Sequence, residues 1–423
     1  MFLFTSHRFS AVTVLLLLTG LLYADDVLTW QDCFDRTVEN NIALSVGRLK
    51  LKEAEAVLKS QQSVYYPDLT ANAGRGVSGS KTEGDANWKN GDSLSASLNA
   101  SYTIFNGFGN RARVTKTEAE LYAEKANFDQ TRSNVEYDLR KAFSDQLYAQ
   151  ELLTLTKNIA DRRAGNVRLV EMRYEGGREH KGSLLLKQAQ LIDAQYSVGE
   201  AERSLELARR KLATLMKQKT FAPFTLDGKL HAAEPPSGVS LDELAGRTPS
   251  YHSAEANLKA AEQGFIITRS ARFPKVTASA SLTGSGEHDI TREEWKTGIA
   301  VSLPLFTGGQ LSQDIIISGL KREQSRLTAE NTMLDLMNSL LAALNTYRSS
   351  YAALSVQDAQ LLAAETRATV TRAQYEQGLV SFQDWDTIET QLITAQRNWL
   401  SSRRAADQAE AAWQNAMGLS SIQ

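Results

Sequence analysis

The chain has 423 residues, of which 42% are hydrophobic and 23% are charged, a composition that excludes disordered and collagen-like proteins. Its 47 basic and 49 acidic side chains give a net charge of −2, and this lack of a basic surplus argues against a nucleic-acid partner. The single cysteine, Cys33, excludes an internal disulfide, and the five histidines show no metal-ligand spacing, so we expect no metal or other cofactor.

Residues 1–24 predict a Sec-type signal peptide. A weakly basic start precedes an apolar run over residues 11–22, and the small residue Ala24 follows it. The run is shorter than the roughly 20 residues of a membrane-spanning helix, which argues against an anchor. No cysteine stands at the cleavage site, so we expect no lipid at the mature N-terminus. Because no other long apolar run follows, any membrane crossing must use β-strands.

Two strands are predicted next, at about 68–78 and 93–105. Residues 93–104 alternate polar and apolar side chains without interruption, which predicts a strand with one apolar face. A polar, glycine-rich loop over residues 79–91 separates the strands. A length of about ten residues suits a tilted strand that crosses a bilayer.

From residue 111 to residue 173 the chain is free of proline and rich in strong helix formers, which predicts one helix on the order of 100 Å long. A glycine pair breaks this helix, with a tip near 174–183, and a second helix follows over 183–216. Helices of this length must pack as coiled coils. Four of the seven prolines fall within 221–249, the segment that joins the two halves of the chain.

The second half of the sequence repeats the first. Gln190-Leu-Ile-Asp-Ala-Gln195 aligns with Gln391-Leu-Ile-Thr-Ala-Gln396 at an offset of 201, and the same offset relates the two tips. The repeat predicts strands at about 275–284 and 297–306 with a loop over 284–295, and a hairpin tip near 375–384. We therefore predict two structural repeats, at 25–235 and 236–423.

The predicted strand count has a consequence for assembly. Four strands cannot close a membrane barrel, since the smallest such barrels use about eight. An open sheet edge in lipid would leave backbone groups without hydrogen bonds, at several kcal/mol each. The barrel must therefore be shared between copies of the chain.

Three doubled motifs give the chain a resemblance to the TolC family of outer-membrane efflux and secretion channels, over residues 28–418. They are the strand entries Tyr66-Pro-Asp-Leu-Thr-Ala71 and Phe273-Pro-Lys-Val-Thr-Ala278, the strand exits Phe105-Asn-Gly107 and Phe306-Thr-Gly308, and the tips Tyr174-Glu-Gly-Gly177 and Tyr375-Glu-Gln-Gly378. The resemblance implies a mainly α-helical fold with a transmembrane β-barrel portion. It also implies a homotrimer in the outer membrane with one shared twelve-stranded barrel above a periplasmic helical tunnel.

The resemblance also implies a function and partners. The protein would be the exit duct of a tripartite efflux pump or a type I secretion system. A periplasmic adaptor would open it and connect it to an inner-membrane transporter of the RND, ABC or MFS type. Adaptor contact carries over to the tip residues Tyr174, Gly177, Tyr375 and Gly378. The two glycines also have a plain structural explanation, because helix–helix turns commonly need a positive φ.

Two further sets of tip residues follow from the resemblance. Acidic residues that line the entrance match Asp384, while Thr387 stands at the second acidic position and Asp386 lies nearby but displaced around the helix. The alternative for Asp384 is a helix N-cap. A closed-state contact between a tyrosine and an aspartate matches Tyr375 and Ser183, and Val380 stands at the position of the neighbouring arginine, so the sequence lacks that contact's usual partners.

Aromatic residues at the strand ends predict a girdle at one membrane interface. These residues are Tyr65, Tyr66, Phe105, Phe273 and Phe306. A protein of another class, a periplasmic coiled-coil scaffold whose strands form a soluble sandwich, remains the alternative to a channel. The uninterrupted alternation of residues 93–104 favours the channel. We find no pairing of a nucleophile with a base and no phosphate loop, so an enzyme is not predicted.

Overall fold

The computed structural model describes residues 26–84, 87–218 and 223–422, and the predicted signal peptide lies outside them. The first half contains β1 (Asp26–Leu28), α1 (Trp30–Asn40), α2 (Ile42–Gln62), β2 (Asp68–Ser80), β3 (Lys89–Asn106), α3 (Gly109–Glu175) and α4 (Lys181–Leu215). The second half contains β4 (Phe224–Leu226), α5 (Leu241–Arg247), α6 (Pro249–Ser270), β5 (Lys275–Gly286), β6 (Arg292–Ser302), α7 (Gln310–Gln377) and α8 (Phe382–Ala416). The fold is therefore mainly helical, with a small antiparallel sheet.

The two longest helices set the dimensions of the molecule. α3 has 67 residues and α7 has 68, so each is about 100 Å long at 1.5 Å per residue. α3 packs against α4, α7 packs against α8, and α3 also packs against α8, which joins the two helical hairpins side by side. In the part of the chain that the structure describes, no helix is both long and apolar enough to span a membrane.

Each long helix follows a strand through a tight corner. Gly107 and Phe108 have φ values of 65° and 68°, in the left-handed region. A Cβ atom at Gly107 would lie 2.6 Å from the Ser270 carbonyl oxygen, so only glycine fits there. Gly308 and Gly309, with φ values of 60° and 85°, form the corresponding corner before α7. These corners turn the chain from the sheet into the hairpins.

The four long strands form one antiparallel sheet in the order β2-β3-β5-β6. Its register places apolar residues opposite one another in a row made of Ala71, Leu98, Leu282 and Trp295. The next row is polar and consists of Thr70, Asn99, Ser281 and Lys296. Because successive side chains on a strand point to opposite faces, one face of the sheet is apolar at this level and the other is polar.

The strand ends differ from the predicted ones in two ways. The strands continue into the predicted loops: only residues 81–88 lie between β2 and β3, and only residues 287–291 lie between β5 and β6. β6 ends at Ser302, whereas the sequence predicted a strand to about residue 306. Pro304 explains the early end, because proline has no N–H group for a strand ladder.

The main hydrophobic cluster lies where the segment between the two halves crosses the hairpins. β1 pairs in parallel with β4, and Leu28, Phe224 and Leu226 pack there against α3 and α4. Cys33 is fully buried in this cluster, and burial raises the pKa of its thiol to about 12. Across the second hairpin, the Tyr347 hydroxyl donates to the Ala233 carbonyl oxygen at 2.8 Å. The connecting segment is thereby attached to both hairpins.

Candidate functional site at the helical tip

Both hairpins turn through a glycine with positive φ. Gly177 and Gly378 have φ values of 70° and 80°. The Arg178 N–H donates to the Arg173 carbonyl oxygen at 2.8 Å, and the Leu379 N–H donates to the Gln374 carbonyl oxygen at 2.9 Å. This six-to-one hydrogen bond closes a helix C-terminus on a left-handed glycine. The two tips therefore share one local backbone design.

The two tip tyrosines differ in their surroundings. Tyr375 is 1% exposed, whereas its sequence counterpart Tyr174 is 39% exposed. One face of the Tyr375 ring stacks on Trp385 with centroids 4.4 Å apart, and the Arg173 guanidinium carbon lies 4.5 Å from the Tyr375 ring centroid. Arg173 also donates to the Tyr375 carbonyl oxygen at 2.7 Å. Tyr375 therefore joins the second hairpin to the first.

A carboxylate completes this contact. The Tyr375 hydroxyl donates to Glu179 Oε2 at 2.8 Å, and the Ser183 hydroxyl donates to Glu179 Oε1 at 2.9 Å. Tyr375 and Ser183, the residues that sequence comparison aligned with a closed-state contact, thus meet on one side chain. The sequence analysis missed Glu179 and Arg173, because the resemblance places the acidic and basic partners of Tyr375 at residues 183 and 380. Their place in or beside the tip turn was the signal that could have found them.

The surroundings of Tyr375 and Glu179 set the protonation state of each group. Burial, followed by the hydrogen bond to Glu179 and its negative charge, raises the pKa of Tyr375 above its ordinary value. Burial opposes ionisation of Glu179, but hydrogen bonds from Tyr375 and Ser183 outweigh it and hold the pKa of that carboxyl below its ordinary value. At neutral pH a protonated phenol therefore donates to a carboxylate, which strengthens a hydrogen bond.

Asp384 and Thr387 lie on the exposed side of α8, one turn apart. Ser381 is the N-cap of α8: its hydroxyl accepts from the Asp384 N–H at 3.1 Å and donates to Asp384 Oδ2 at 2.6 Å. The alternative in which Asp384 is itself the N-cap is therefore wrong, since Asp384 is the third residue of the helix. Its carboxylate remains accessible to solvent.

Asp386 faces the first hairpin instead. Asp386 Oδ1 lies 2.5 Å from Lys187 Nζ and accepts from Gln190 Nε2 at 3.0 Å. Lys187 is fully buried, with its Nζ 4.2 Å from the centroid of the Trp385 ring. Burial opposes ionisation of Asp386, but the hydrogen bonds from Lys187 and Gln190 hold the pKa of that carboxyl below its ordinary value.

One turn further along α8, Glu389 is fully buried and forms a second ion pair. Arg162 Nη2 and Nε donate to its two oxygens at 2.7 and 2.8 Å, and Asn166 Nδ2 donates at 3.0 Å. Burial opposes ionisation, but the hydrogen bonds from Arg162 and Asn166 hold the pKa of the Glu389 carboxyl below its ordinary value. Within the described residues, no group of three or more His, Cys, Asp or Glu side chains is placed to hold a metal ion.

The strand-end aromatics lie at the edge of the sheet that faces the long helices. Tyr65, Tyr66, Phe273 and Phe306 are exposed, and Phe105 is partly buried. Phe108, which sequence analysis did not single out, is 65% exposed and contacts Phe105 edge to face, with centroids 5.5 Å apart. Its position after the strand-exit glycine was the available signal.

Comparison with known proteins gives consistent matches over nearly the whole chain. The sequence profile of a family described as outer membrane efflux protein matches residues 34–217 and 240–419. The pyoverdine export outer membrane protein OpmQ of Pseudomonas aeruginosa is 25% identical, over 95% of this chain and 89% of OpmQ. The cation efflux system protein CusC of Escherichia coli is 23% identical, over 90% of this chain and 84% of CusC.

Solved structures show the same architecture. A crystal structure of CusC superposes with a TM-score of 0.84 at 18% identity, over 92% of this chain and 91% of that one. The open state of the MtrE outer membrane channel of Neisseria gonorrhoeae superposes with a TM-score of 0.82 at 20% identity, over 93% and 89%. The resemblance to TolC-like channels is thereby confirmed. Since the profile matches both halves, the chain belongs to the outer membrane efflux protein family.

Proposed function

We propose that three copies of the chain form one exit duct through the outer membrane and the periplasm. The observation that carries this proposal is the sheet: four strands with an apolar face, whose outer strands β2 and β6 each have one edge without a partner strand among the described residues. Three such sheets placed edge to edge give a closed barrel of twelve strands. In a closed barrel every strand has a neighbour on both sides, so the backbone N–H and C=O groups form the hydrogen bonds that lipid cannot offer. The two repeats then contribute two strands and one helical hairpin each.

The faces of the sheet have separate roles in this duct. The row with Leu98 and Leu282 faces lipid, and the row with Asn99 and Ser281 faces a water-filled lumen. The exposed aromatics Tyr65, Tyr66, Phe273 and Phe306 and the partly buried Phe105 lie at the periplasmic interface, where aromatic side chains favour the headgroup region. The signal peptide directs the chain to the cell envelope. The mature N-terminus carries no lipid, because no cysteine stands at the cleavage site.

The hairpin tips form the periplasmic entrance. The bond from Tyr375 to Glu179 holds the tip in its resting state, and Ser183 orients Glu179. Asp384 and Thr387 line the entrance, where three copies of Asp384 favour cations. Asp386 acts indirectly, because its ion pair with Lys187 fixes the orientation of α8.

The tip turns dock a periplasmic adaptor, and the adaptor connects the duct to an inner-membrane transporter of the RND, ABC or MFS type. Tyr174 and Leu379 are exposed beside the turn glycines Gly177 and Gly378, and they offer an apolar contact on each hairpin. The complex serves tripartite efflux or type I secretion. OpmQ and CusC carry names for different cargoes, pyoverdine and cations, so the cargo follows from the transporter and not from this fold.

Planar-bilayer recording tests the proposal. Detergent-extracted protein should have the mass of three copies, migrate differently when heated, and insert as an ion-conducting pore of low resting conductance. A water-extractable protein that forms no pore would contradict the channel and support the coiled-coil scaffold. As a control, the same extract from cells without the protein should give no pore.

A further inference from the structure

A cavity of about 430 Å³ lies on the second hairpin, beside the segment that connects the two halves of the chain. We call it the connector cavity. The residues of its walls that carry polar or aromatic groups are Tyr351, Ser355 and Asp358 on α7, Trp399 and Arg403 on α8, and His231 on the connecting segment. The volume falls within the roughly 300–1,000 Å³ of pockets that hold small molecules. The cavity is separate from the helical tip and from the sheet.

Trp399 is held in one orientation on the wall of this cavity. Its indole Nε1 donates to Asp358 Oδ1 at 2.7 Å, and the Arg403 guanidinium carbon lies 4.8 Å from the centroid of the Trp399 ring. Arg403 is itself fixed, because it donates to Glu151 Oε2 at 3.2 Å and to the Leu230 carbonyl oxygen at 2.9 Å. An aromatic wall that is already ordered loses little conformational entropy when a ligand packs against it.

Polar groups around this aromatic wall are free to bind a ligand. Among the described residues, Asp358 Oδ2 accepts no hydrogen bond, and the Tyr351 hydroxyl and the His231 ring form none either. Asp358 and His231 are exposed, so water solvates them when the cavity is empty of ligand. A carboxylate oxygen accepts hydrogen bonds, and a phenol hydroxyl both donates and accepts. The connector cavity therefore combines aromatic surface with several unused hydrogen-bonding groups.

The internal repeat does not contain a second cavity of this kind. At the offset of 201, Tyr351 corresponds to Gln150, and Trp399 corresponds to Val198. The Leu226 N–H of β4 donates to the Gln150 side chain at 2.9 Å, and that side chain donates to the Leu226 carbonyl oxygen at 3.2 Å. The first hairpin thus uses this position to hold a strand of its own chain, whereas the second hairpin has an aromatic cavity there.

We propose that the connector cavity binds a pyranose ring of a glycan. One face of such a ring carries C–H groups that pack on aromatic side chains, and its rim carries hydroxyls that need several hydrogen-bond partners. Tyr351 and Trp399 supply the aromatic walls, and the Asp358 carboxylate accepts from the hydroxyls. A cationic ligand fits less well, because Arg403 already lies at the Trp399 ring, where a cation would bind. The site lies within one copy of the chain, so it does not depend on the trimeric duct.

Titration calorimetry on the purified protein tests this proposal, in a detergent without a sugar headgroup. The probes are a trimer of N-acetylglucosamine, as a free glycan, and soluble fragments of cell-wall glycan, as a polymeric one. We expect saturable binding of the trimer. Asp358→Asn can still accept from the Trp399 indole but lacks the charge, so it should weaken binding by roughly tenfold or more.

Further variants separate the aromatic wall from the fold. Tyr351→Ala should abolish binding, and Tyr351→Phe, which keeps the ring, should retain most of it. Lys157→Asn is the matched control, because Lys157 is the exposed counterpart of Asp358 on the first hairpin, and it should bind like the native protein. Circular dichroism and light scattering check that each variant is folded and assembled. If Tyr351→Ala is not, Asp358→Asn decides the outcome.

The possible results have different meanings. Binding of the polymeric glycan alone, with the same loss in Asp358→Asn, would support the site and identify a polymer as the source of the ring. No binding of either glycan, or native affinity in Asp358→Asn and Tyr351→Ala, would overturn the inference. Saturable binding of tetramethylammonium that is lost in Tyr351→Ala would show a cation site instead, and the assignment to a glycan would then be wrong.

Discussion

Tyr375 and Tyr174 stand at equivalent positions of the repeat, yet Tyr375 alone donates to a carboxylate and is buried. Tyr375→Phe removes that hydroxyl and leaves the ring stacked on Trp385. A hydrogen bond to a charged group is worth about 1.5–3 kcal/mol, so the variant should populate the open tip roughly tenfold or more over the native protein. Single-channel recording should show a higher resting conductance.

Tyr174→Phe is the matched control for this change, since Tyr174 is partly exposed at the other tip. It should leave the resting conductance unchanged. An equal effect of both substitutions would mean that the Tyr375–Glu179 bond does not hold the tip.

A substitution at Asp384 tests whether this carboxylate gives the entrance its cation preference. Asp384→Asn removes the charge and keeps an oxygen that can accept from the Ser381 hydroxyl, so α8 should begin as before. If three Asp384 carboxylates surround the entrance, the variant should lose cation preference and block by trivalent cations added on the periplasmic side. Unchanged selectivity and block in Asp384→Asn would leave that carboxylate with a local structural role alone.

The ion-paired carboxylates of Asp386, which is partly buried, and Glu389, which is fully buried, predict how the tip responds to acid. Hydrogen bonds outweigh burial and hold both carboxyl pKa values below their ordinary values of 3.8 and 4.5. Their contribution to stability is therefore complete above about pH 4.5 and is lost as the pH falls through the lower, folded-state values. Hydrogen exchange at the tip should be constant from pH 7 to pH 5, after correction for intrinsic rates, and protection should fall in stronger acid.

Glu389→Gln should change this response. Because the variant cannot lose a charge at residue 389, its protection should depend less on pH and be lower than native protection at pH 7. Glu376→Gln, a change at an exposed residue near the same tip, is the control and should preserve the native profile. A native tip that loses protection already between pH 7 and pH 5 would contradict the assignment to these carboxylates.

At the scale of elements, the sheet register predicts which side chains meet lipid. Leu98 lies opposite Leu282, and Asn99 lies opposite Ser281, on the other face. Leu98→Arg or Leu282→Arg should destabilise the assembled protein by about 2–4 kcal/mol near the bilayer midplane. Urea titration of the detergent- or lipid-embedded protein, followed by gel mobility, measures the change.

Asn99→Arg and Ser281→Arg carry the same new charge on the opposite face. They should be far milder, because a water-filled lumen solvates the charge. Equal loss of stability from both pairs of variants would show that the two faces have been assigned incorrectly.

At the scale of the whole molecule, the open sheet edges predict assembly. A folded, pore-forming species in detergent should have three times the mass of one chain, because β2 and β6 each need a partner strand. Mass measurement by light scattering on the conducting fraction tests this. A conducting species with the mass of one chain would contradict the shared barrel.

Much of this architecture was predictable, because periodicity is a local property. The alternation over residues 93–104 located β3, and the proline-free stretch after Pro304 located α7 and α8. The end of β6 was less predictable, since Pro304 stops the strand ladder although apolar residues continue to Phe306. Side-chain partners at the tip were the least predictable part, because Glu179 and Arg173 do not occupy the positions at which sequence comparison sought them.

The sequence by itself determined the helices and strands and the family, and it predicted the two-part repeat, since these depend on patterns within a continuous stretch of chain. The tertiary structure alone decided that Tyr375 meets Glu179, that Asp386 turns toward Lys187, and that Glu389 is buried against Arg162. The paired positions lie 196, 199 and 227 residues apart in sequence. Contacts of this kind depend on how two long hairpins align side by side, and a rotation of α8 would exchange Asp386 for Asp384 at the interface.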